Sequence, residues 1–182
     1  MGEPIVEWLN QQQDNMVELL RDLVDIDSNS FNKAGVDLVG ARLAAFFDDN
    51  EIQHETIPLE EYGDAIRAVV SGGDGNQPIL LCGHRDTVFP TGEVKKRPFS
   101  IADGKAFGPG VADMKPGLVI NAFILAGFHK FGGHPNPLVG LFTGEEEIGS
   151  PASQDVITAE AEKARLAFNS EPSRPSGNIV TR

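Results

Sequence analysis

Four short stretches of this chain concentrate side chains that can hold a cation or move a proton. Gly83-His84-Arg85-Asp86-Thr87-Val88 offers an imidazole and a carboxylate two residues apart. In extended backbone, positions i and i+2 share a face, so His84 and Asp86 can address one ligand together. Such a pair suits a metal ligand oriented by a carboxylate, or a base held in one tautomer. Taken alone, the plainer reading is a polar strand end with a hydrogen-bonded His. Gly108-Pro109-Gly110-Val111-Ala112-Asp113-Met114-Lys115 is a rigid loop that presents Asp113 just before a helix, where it can serve as an N-cap or as a ligand. Thr143-Gly144-Glu145-Glu146-Glu147-Ile148-Gly149-Ser150 sets three carboxylates side by side, and these repel one another unless a cation or a proton intervenes. On an exposed helix such a run is solvated surface, but here it follows the apolar Leu138-Val139-Gly140-Leu141-Phe142. Asn169-Ser170-Glu171-Pro172-Ser173 adds one more carboxylate.

His84, Asp86, Asp113, Glu146, Glu147 and Glu171 make a stronger case together than singly. Imidazole with several carboxylates suits zinc, cobalt or manganese better than an iron–sulfur or copper centre. A surplus of carboxylates beside one usable His points to a pair of ions, since each needs its charge neutralised.

These residues act together only if the fold brings them to one edge, and the hydrophobic pattern predicts that it does. Apolar residues at near-helical spacing predict one helix over 4–26, and a second over 35–50 with Leu38, Val39, Leu43, Phe46 and Phe47 inward. Residues 52–58 and 65–70 read as short strands, and Ser71 to Asn76 as a turn cluster. The continuous apolar runs at 78–82 and 137–143 read as strands buried on both faces. Helices are expected over 117–130 and 151–163, with further strands over 165–169 and 178–181. Each motif then follows a strand or opens a helix, and open α/β sheets bind ligands at the carboxyl ends of their strands. The fold expected is α/β, a three-layer, largely parallel (mixed) sheet with helices on both faces.

Composition excludes several other classes. The 182 residues suit one domain, and 15 Lys plus Arg against 27 Asp plus Glu give a net charge of −12, which disfavours nucleic acid. Acidic clusters likewise disfavour a phosphate site built on the Gly-rich loops. The apolar fraction of 40% supports a core, but no window approaches a membrane span, and the start lacks a signal-peptide pattern. With a single Cys82 there is no intrachain disulfide, which fits a cytoplasmic protein, a trimmed leader aside.

In this order the four motifs resemble the co-catalytic zinc metallopeptidase family that includes glutamate carboxypeptidase, acetylornithine deacetylase, succinyl-diaminopimelate desuccinylase and aminoacylase. The resemblance spans essentially the whole chain and is closest to the glutamate carboxypeptidase branch. It implies that His84 binds one metal and Asp86 orients His84. It further implies that Asp113 bridges two metals and precedes a cis peptide, and that Glu171 completes the first site. Gly149-Ser150 sets the register of the Glu run, making Glu146 the general base and Glu147 a ligand of the second metal; Glu145 needs no direct role. Arg85 and Lys115 flank the site without a catalytic assignment, and His54, His129 and His134 lie outside every motif. The implied activity is amide hydrolysis of an N-acyl amino acid or small peptide, with two Zn2+ per site, Co2+ or Mn2+ being alternatives. In this family a lid (dimerisation) domain follows, and the last His ligand lies beyond it. Residues 1–182 are therefore expected to be the N-terminal part of the catalytic domain, an incomplete zinc-peptidase-like fold. The rival expectation is an inactive fragment that binds one metal or a partner chain, with exposed apolar edges favouring self-association.

Overall fold

Two helices, α1 (Gly2–Asn10) and α2 (Gln13–Val24), open the computed structural model, which describes residues 2–74, 77–173 and 176–177. The expected strand over 178–181 and part of the turn cluster before Gln77 lie outside the described residues. The single helix expected over 4–26 is corrected to two. At Gln11 and Gln12 the backbone N–H groups donate to the carbonyls of Trp8 and Leu9, a tightened turn that ends α1. Residues 10–15 are all polar and have no apolar face to bury, so nothing packs the helix through them.

Helix α3 (Lys33–Asp49) starts at Asn32, whose side chain accepts the Gly35 N–H at 3.2 Å. Val36, Val39, Leu43, Phe46 and Phe47 form its buried stripe, but Leu38, expected inward, is 60% exposed. It sits one residue off the i, i+3, i+4, i+7 stripe, which turns it out by roughly 100°.

Strands β1 (Gln53–Ile57), β2 (Ala65–Val70) and β3 (Ile79–His84) follow. A short helix α4 (Glu93–Lys96) and the hairpin β4 (Ser100–Ala102) with β5 (Lys105–Phe107) occupy a stretch that carries no apolar periodicity. Helix α5 (Lys115–Lys130), strand β6 (Leu138–Thr143), a 3-10 turn (Glu146–Ile148), helix α6 (Gln154–Lys163) and strand β7 (Leu166–Asn169) complete the order. The sheet runs β1-β2-β6-β3-β7. β1–β2 and β2–β6 pair antiparallel, whereas β6–β3 and β3–β7, the strands that end in the acidic motifs, pair parallel.

Period-two alternation distributes the sheet between two apolar layers. Leu81, Leu138 and Phe142 face α2, α3 and α5, while Leu80, Val139 and Leu141 face α6 through Val156 and Ile157. Both faces are therefore covered by helices, as expected for strands with continuous apolar runs. Register then decides where the chemistry lies: Cys82↔Leu141, Gly83↔Phe142 and His84↔Thr143 bring the ends of β3 and β6 level, and Cys82↔Asn169 does the same for β7.

Candidate metal centre

The imidazole of His84, at the last position of β3, is only 2% exposed. Its Nε2 lies 3.1 Å from Asp113 Oδ1, 3.5 Å from Glu171 Oε1 and 3.7 Å from Glu146 Oε2. On the other side of the ring, Nδ1 lies 3.1 Å from the Asp86 carbonyl oxygen and 3.2 Å from Asp86 Oδ1. The motifs after β3, before α5, after β6 and after β7 thus reach one edge of the sheet.

Two groups of three donors form there: His84 with Glu146 and Glu171, and His84 with Asp113 and Glu147, the ligand atoms in each lying within 4.8 Å of one another. A cleft of about 190 Å3, lined by His84, Thr143, Glu146, Ser150 and Glu171 among others, opens beside them. One imidazole and four carboxylates is a donor set that fits a divalent cation such as zinc or manganese.

Charge in the cleft tells the same story. Burial pulls the His84 imidazole down, but its bond to Asp86 and the charges of Asp86, Glu171 and Glu146 outweigh it and lift the pKa to about 9. Burial pushes the Glu171 carboxyl up, His84 opposes, and Asp113 and Glu146 add to the rise, leaving it at about 7. Glu147 is raised as well, chiefly by burial. Carboxylates that cling to protons beside an imidazole that will not release one make a site short of positive charge, which a metal ion supplies.

Asp86 holds this arrangement from below. Fully buried, it accepts the N–H of Glu146 at 3.1 Å on Oδ1, and on Oδ2 the N–H of Glu147 at 3.2 Å and the Ser30 hydroxyl at 2.7 Å. Burial alone would raise its pKa, but the bonds from His84 and Ser30 hold it below the ordinary carboxylate range.

The structure resolves what spacing left open about Asp113. The N-cap of α5 is Met114, with no side-chain cap bond, and Asp113 turns to His84 instead. The peptide between Asp113 and Met114 is cis, as the family resemblance implies. Glu145 separates from its two neighbours: it is fully buried and accepts the N–H groups of Gly144, Ala152 and Ser153, so it anchors the loop behind the site.

Arg85 and Lys115 point away from the cleft. Buried Arg85 donates to the carbonyl oxygens of Val36 (2.9 Å), Thr143 (3.3 Å) and Asp64, and burial lowers its pKa to about 10 against the charges of Asp37, Asp86, Asp64 and Glu145. Lys115, pushed down to about 8 by burial, donates to the Leu23 and Ile26 carbonyls at the end of α2. His54 meets Asp48, His134 packs edge-on to Phe128, and His129 lies exposed on α5, all away from the cleft.

Sequence reasoning passed over Asn121 and Ser30. Asn121 is fully buried; its amide donates to the Cys82 carbonyl at 2.9 Å and its oxygen accepts the Ser170 hydroxyl at 2.7 Å, tying the ends of β3 and β7 to α5. A lone polar residue within the apolar run 117–128 was the available signal. At Gly117 a Cβ would lie 2.2 Å from the Ser170 carbonyl oxygen, so only glycine lets α5 come this near to the Glu171 loop.

Comparison with known proteins bears on the fold and the family. Carboxypeptidase G2 of Pseudomonas sp. (strain RS-16) is 30% identical over 88% of this chain, which spans 39% of that protein. Acetylornithine deacetylase of Edwardsiella ictaluri (strain 93-146) is 28% identical over 90% of the chain and 44% of the relative. The chain therefore spans less than half the length of these relatives. Human carnosine dipeptidase 1 superposes with a TM-score of 0.78 at 17% identity, covering 94% of this chain and 41% of that one. A metallo-carboxypeptidase of the M20 family from Sulfolobus solfataricus does so with a TM-score of 0.72 at 18% identity, covering 89% and 38%. At such identities these structures speak for the fold alone. The family model described as peptidase family M20/M25/M40 matches residues 80–182, the stretch that begins on β3 and carries every motif of the cleft, and by that match the chain belongs to this family.

Proposed function

We propose that the whole protein is a metal-dependent hydrolase that cleaves an amide bond in an N-acyl amino acid or small peptide, and that residues 1–182 are the N-terminal part of its catalytic domain. The observation that carries this reading is the convergence of His84 with Asp113, Glu146, Glu147 and Glu171 at one sheet edge. The names of the relatives, a carboxypeptidase and a deacetylase, support an amide substrate. A cytoplasmic location fits the single Cys82.

In this proposal His84, Asp113 and Glu171 hold one ion, and Asp113 with Glu147 holds part of a second site. Zinc, or cobalt or manganese in its place, supplies Lewis acidity, which acidifies water and polarises a carbonyl. Asp86 accepts from His84 Nδ1 and keeps Nε2 turned to the cleft. Glu146, with its side chain 50% exposed on the open side, takes the proton of the attacking water and passes it to the leaving amine.

The test is a pair of variants in the full-length protein. Glu146→Gln should lose turnover by roughly 10² to 10⁴ and keep its metal. Glu147→Ala should lose metal as well as rate. The reverse pattern would mean that the register in the Glu run is off by one.

For the 182 residues alone a one-ion reading is favoured, because His54, His129 and His134 lie elsewhere and leave the second group without a His of its own. Calorimetric titration with zinc should show at most one tight site per chain, and assays on acylated amino acids negligible turnover. Two tight sites with turnover would refute it.

A further inference from the structure

The loop between α2 and α3, residues 25–32, carries no motif, yet it is tied to the stretch that follows β3 and to the start of α5. Asp25 accepts the Phe99 N–H at 2.7 Å, and Asp27 accepts those of Gly92 at 2.7 Å and Val94 at 3.0 Å. Beside the metal centre the loop runs along the end of β3: Thr87 donates to the Ser28 carbonyl at 2.8 Å, and the Ser30 N–H donates back to the Thr87 carbonyl at 3.3 Å. Those two bonds fix the backbone on either side of Asn29 and deliver the Ser30 hydroxyl, 2% exposed, to Asp86 Oδ2 at 2.7 Å.

An ionised carboxylate has about four acceptor positions. In Asp86 all four are taken: the Glu146 N–H and His84 Nδ1, which Oδ1 shares with the Asp86 carbonyl oxygen, on Oδ1, and the Ser30 hydroxyl and the Glu147 N–H on Oδ2. The two oxygens belong to one rigid plane, so a change on Oδ2 turns Oδ1 with it. Without the hydroxyl, Oδ2 keeps a single donor where no water reaches, and the plane swings towards Glu147. That swing draws Oδ1 off both His84 and Glu146.

We propose that Ser30 is a positioning residue of the metal centre: through Asp86 its hydroxyl sets the ring plane of His84 and the seat of the Glu146–Glu147 turn, and thereby metal affinity. The inference rests on the metal-centre reading. It predicts that a residue outside every motif, 54 positions before His84, tunes the first ligand.

Zinc titration of the full-length protein tests it, with thermal unfolding of the metal-free form measured alongside. Ser30→Ala should weaken zinc about tenfold to a hundredfold, the range seen when partners behind a ligand are removed. Ser30→Val and Ser30→Thr share a shape and differ by the hydroxyl, so Thr should bind zinc near the wild-type level and Val should match Ala. Equal zinc affinity in Thr and Val overturns the proposal, as does a lowered unfolding midpoint in Ser30→Ala with unchanged zinc affinity, which would make Ser30 a packing residue. His84→Ala separates the two readings. If it binds zinc like wild type, the metal-centre reading falls; if it loses zinc while Ser30→Ala does not, only the Ser30 inference falls.

Discussion

The two ends of the cleft are built differently. At the end of β3, His84, Arg85 and Asp86 are each at most 2% exposed, and β3 is paired on both sides, with β6 and with β7. Its buried side chains are held by distant segments: Asp86 by Ser30 and the Glu146–Glu147 backbone, Arg85 by three carbonyls. At the β7 end, Glu171 has a side chain 31% exposed, and the strand before it carries Leu166 and Phe168 at 52% and 54% exposure. Among the described residues β7 has one neighbour, β3, and the Glu171 loop is placed by Asn121 and by the close approach at Gly117. The contrast teaches that the His84 half of the centre is preorganised by burial, whereas the Glu171 half is held by a few tethers at the edge of the described sheet.

Arg85→Met should break the buried half. It strips a donor from the Val36, Asp64 and Thr143 carbonyls and removes a buried cation that Asp37, Asp86, Asp64 and Glu145 surround. A loss of about 3–5 kcal/mol in urea unfolding is expected for removing one partner of a buried charge set. Glu171→Gln, at the β7 end, should cost far less; equal losses would erase the contrast.

Gly117→Ala sharpens the comparison from the other side. Its Cβ would meet the Ser170 carbonyl oxygen, so α5 and the Glu171 loop must part. A stability loss of about 1–3 kcal/mol is expected for overpacking at such a contact, together with weaker zinc binding. Intact zinc affinity in this variant would show that Glu171 is not placed by α5.

The pH dependence of the metal-free chain follows from His84 and Glu171. Glu171 is raised from 4.5 to about 7, and His84 from 6.5 to about 9. A group whose pKa rises on folding stabilises fully below its unfolded value and loses that contribution as pH climbs through the folded one. The unfolding midpoint should therefore fall from about pH 5 to about pH 9. Above pH 8, Lys115, lowered to about 8 from 10.5, contributes in the opposite sense. Zinc affinity should rise over the same window, because the ion replaces those protons. A midpoint flat from pH 5 to 8 would show that the cleft does not hold them.

Leu166→Ser with Phe168→Ser should have the smallest effect on the fold, within about 0.5 kcal/mol, as usual for exposed positions. If self-association runs through β7, sedimentation should show less of it, because the strand at the edge of the described sheet loses its apolar face. A sedimentation profile identical to the wild type would show that β7 carries no self-association.

How far the chain could be read in advance depended on whether a feature was periodic or local. The strands ending at His84 and Thr143 were legible because both faces are buried and the apolar run is continuous. The split at Gln11-Gln12 was not, because apolar residues at helical spacing on both sides masked the polar run 10–15 between them. The exposed α4 and the β4–β5 hairpin bury nothing and leave no pattern.

Motif order alone was enough to name the six residues at the sheet edge, because strand ends and helix starts are written in local apolar patterns and turn residues. Tertiary contact alone decided what each of them faces. Asp113 had equal claim to a helix cap until the backbone turned it to His84, and Glu145, left without a direct role by the resemblance, gained its anchoring one only when Gly144, Ala152 and Ser153 closed on it. Ser30 reached Asp86 across 56 residues of chain through a backbone bridge that no spacing encodes. Local sequence sets φ, ψ and periodicity, but a hydrogen bond between distant segments exists only once the core has packed them together.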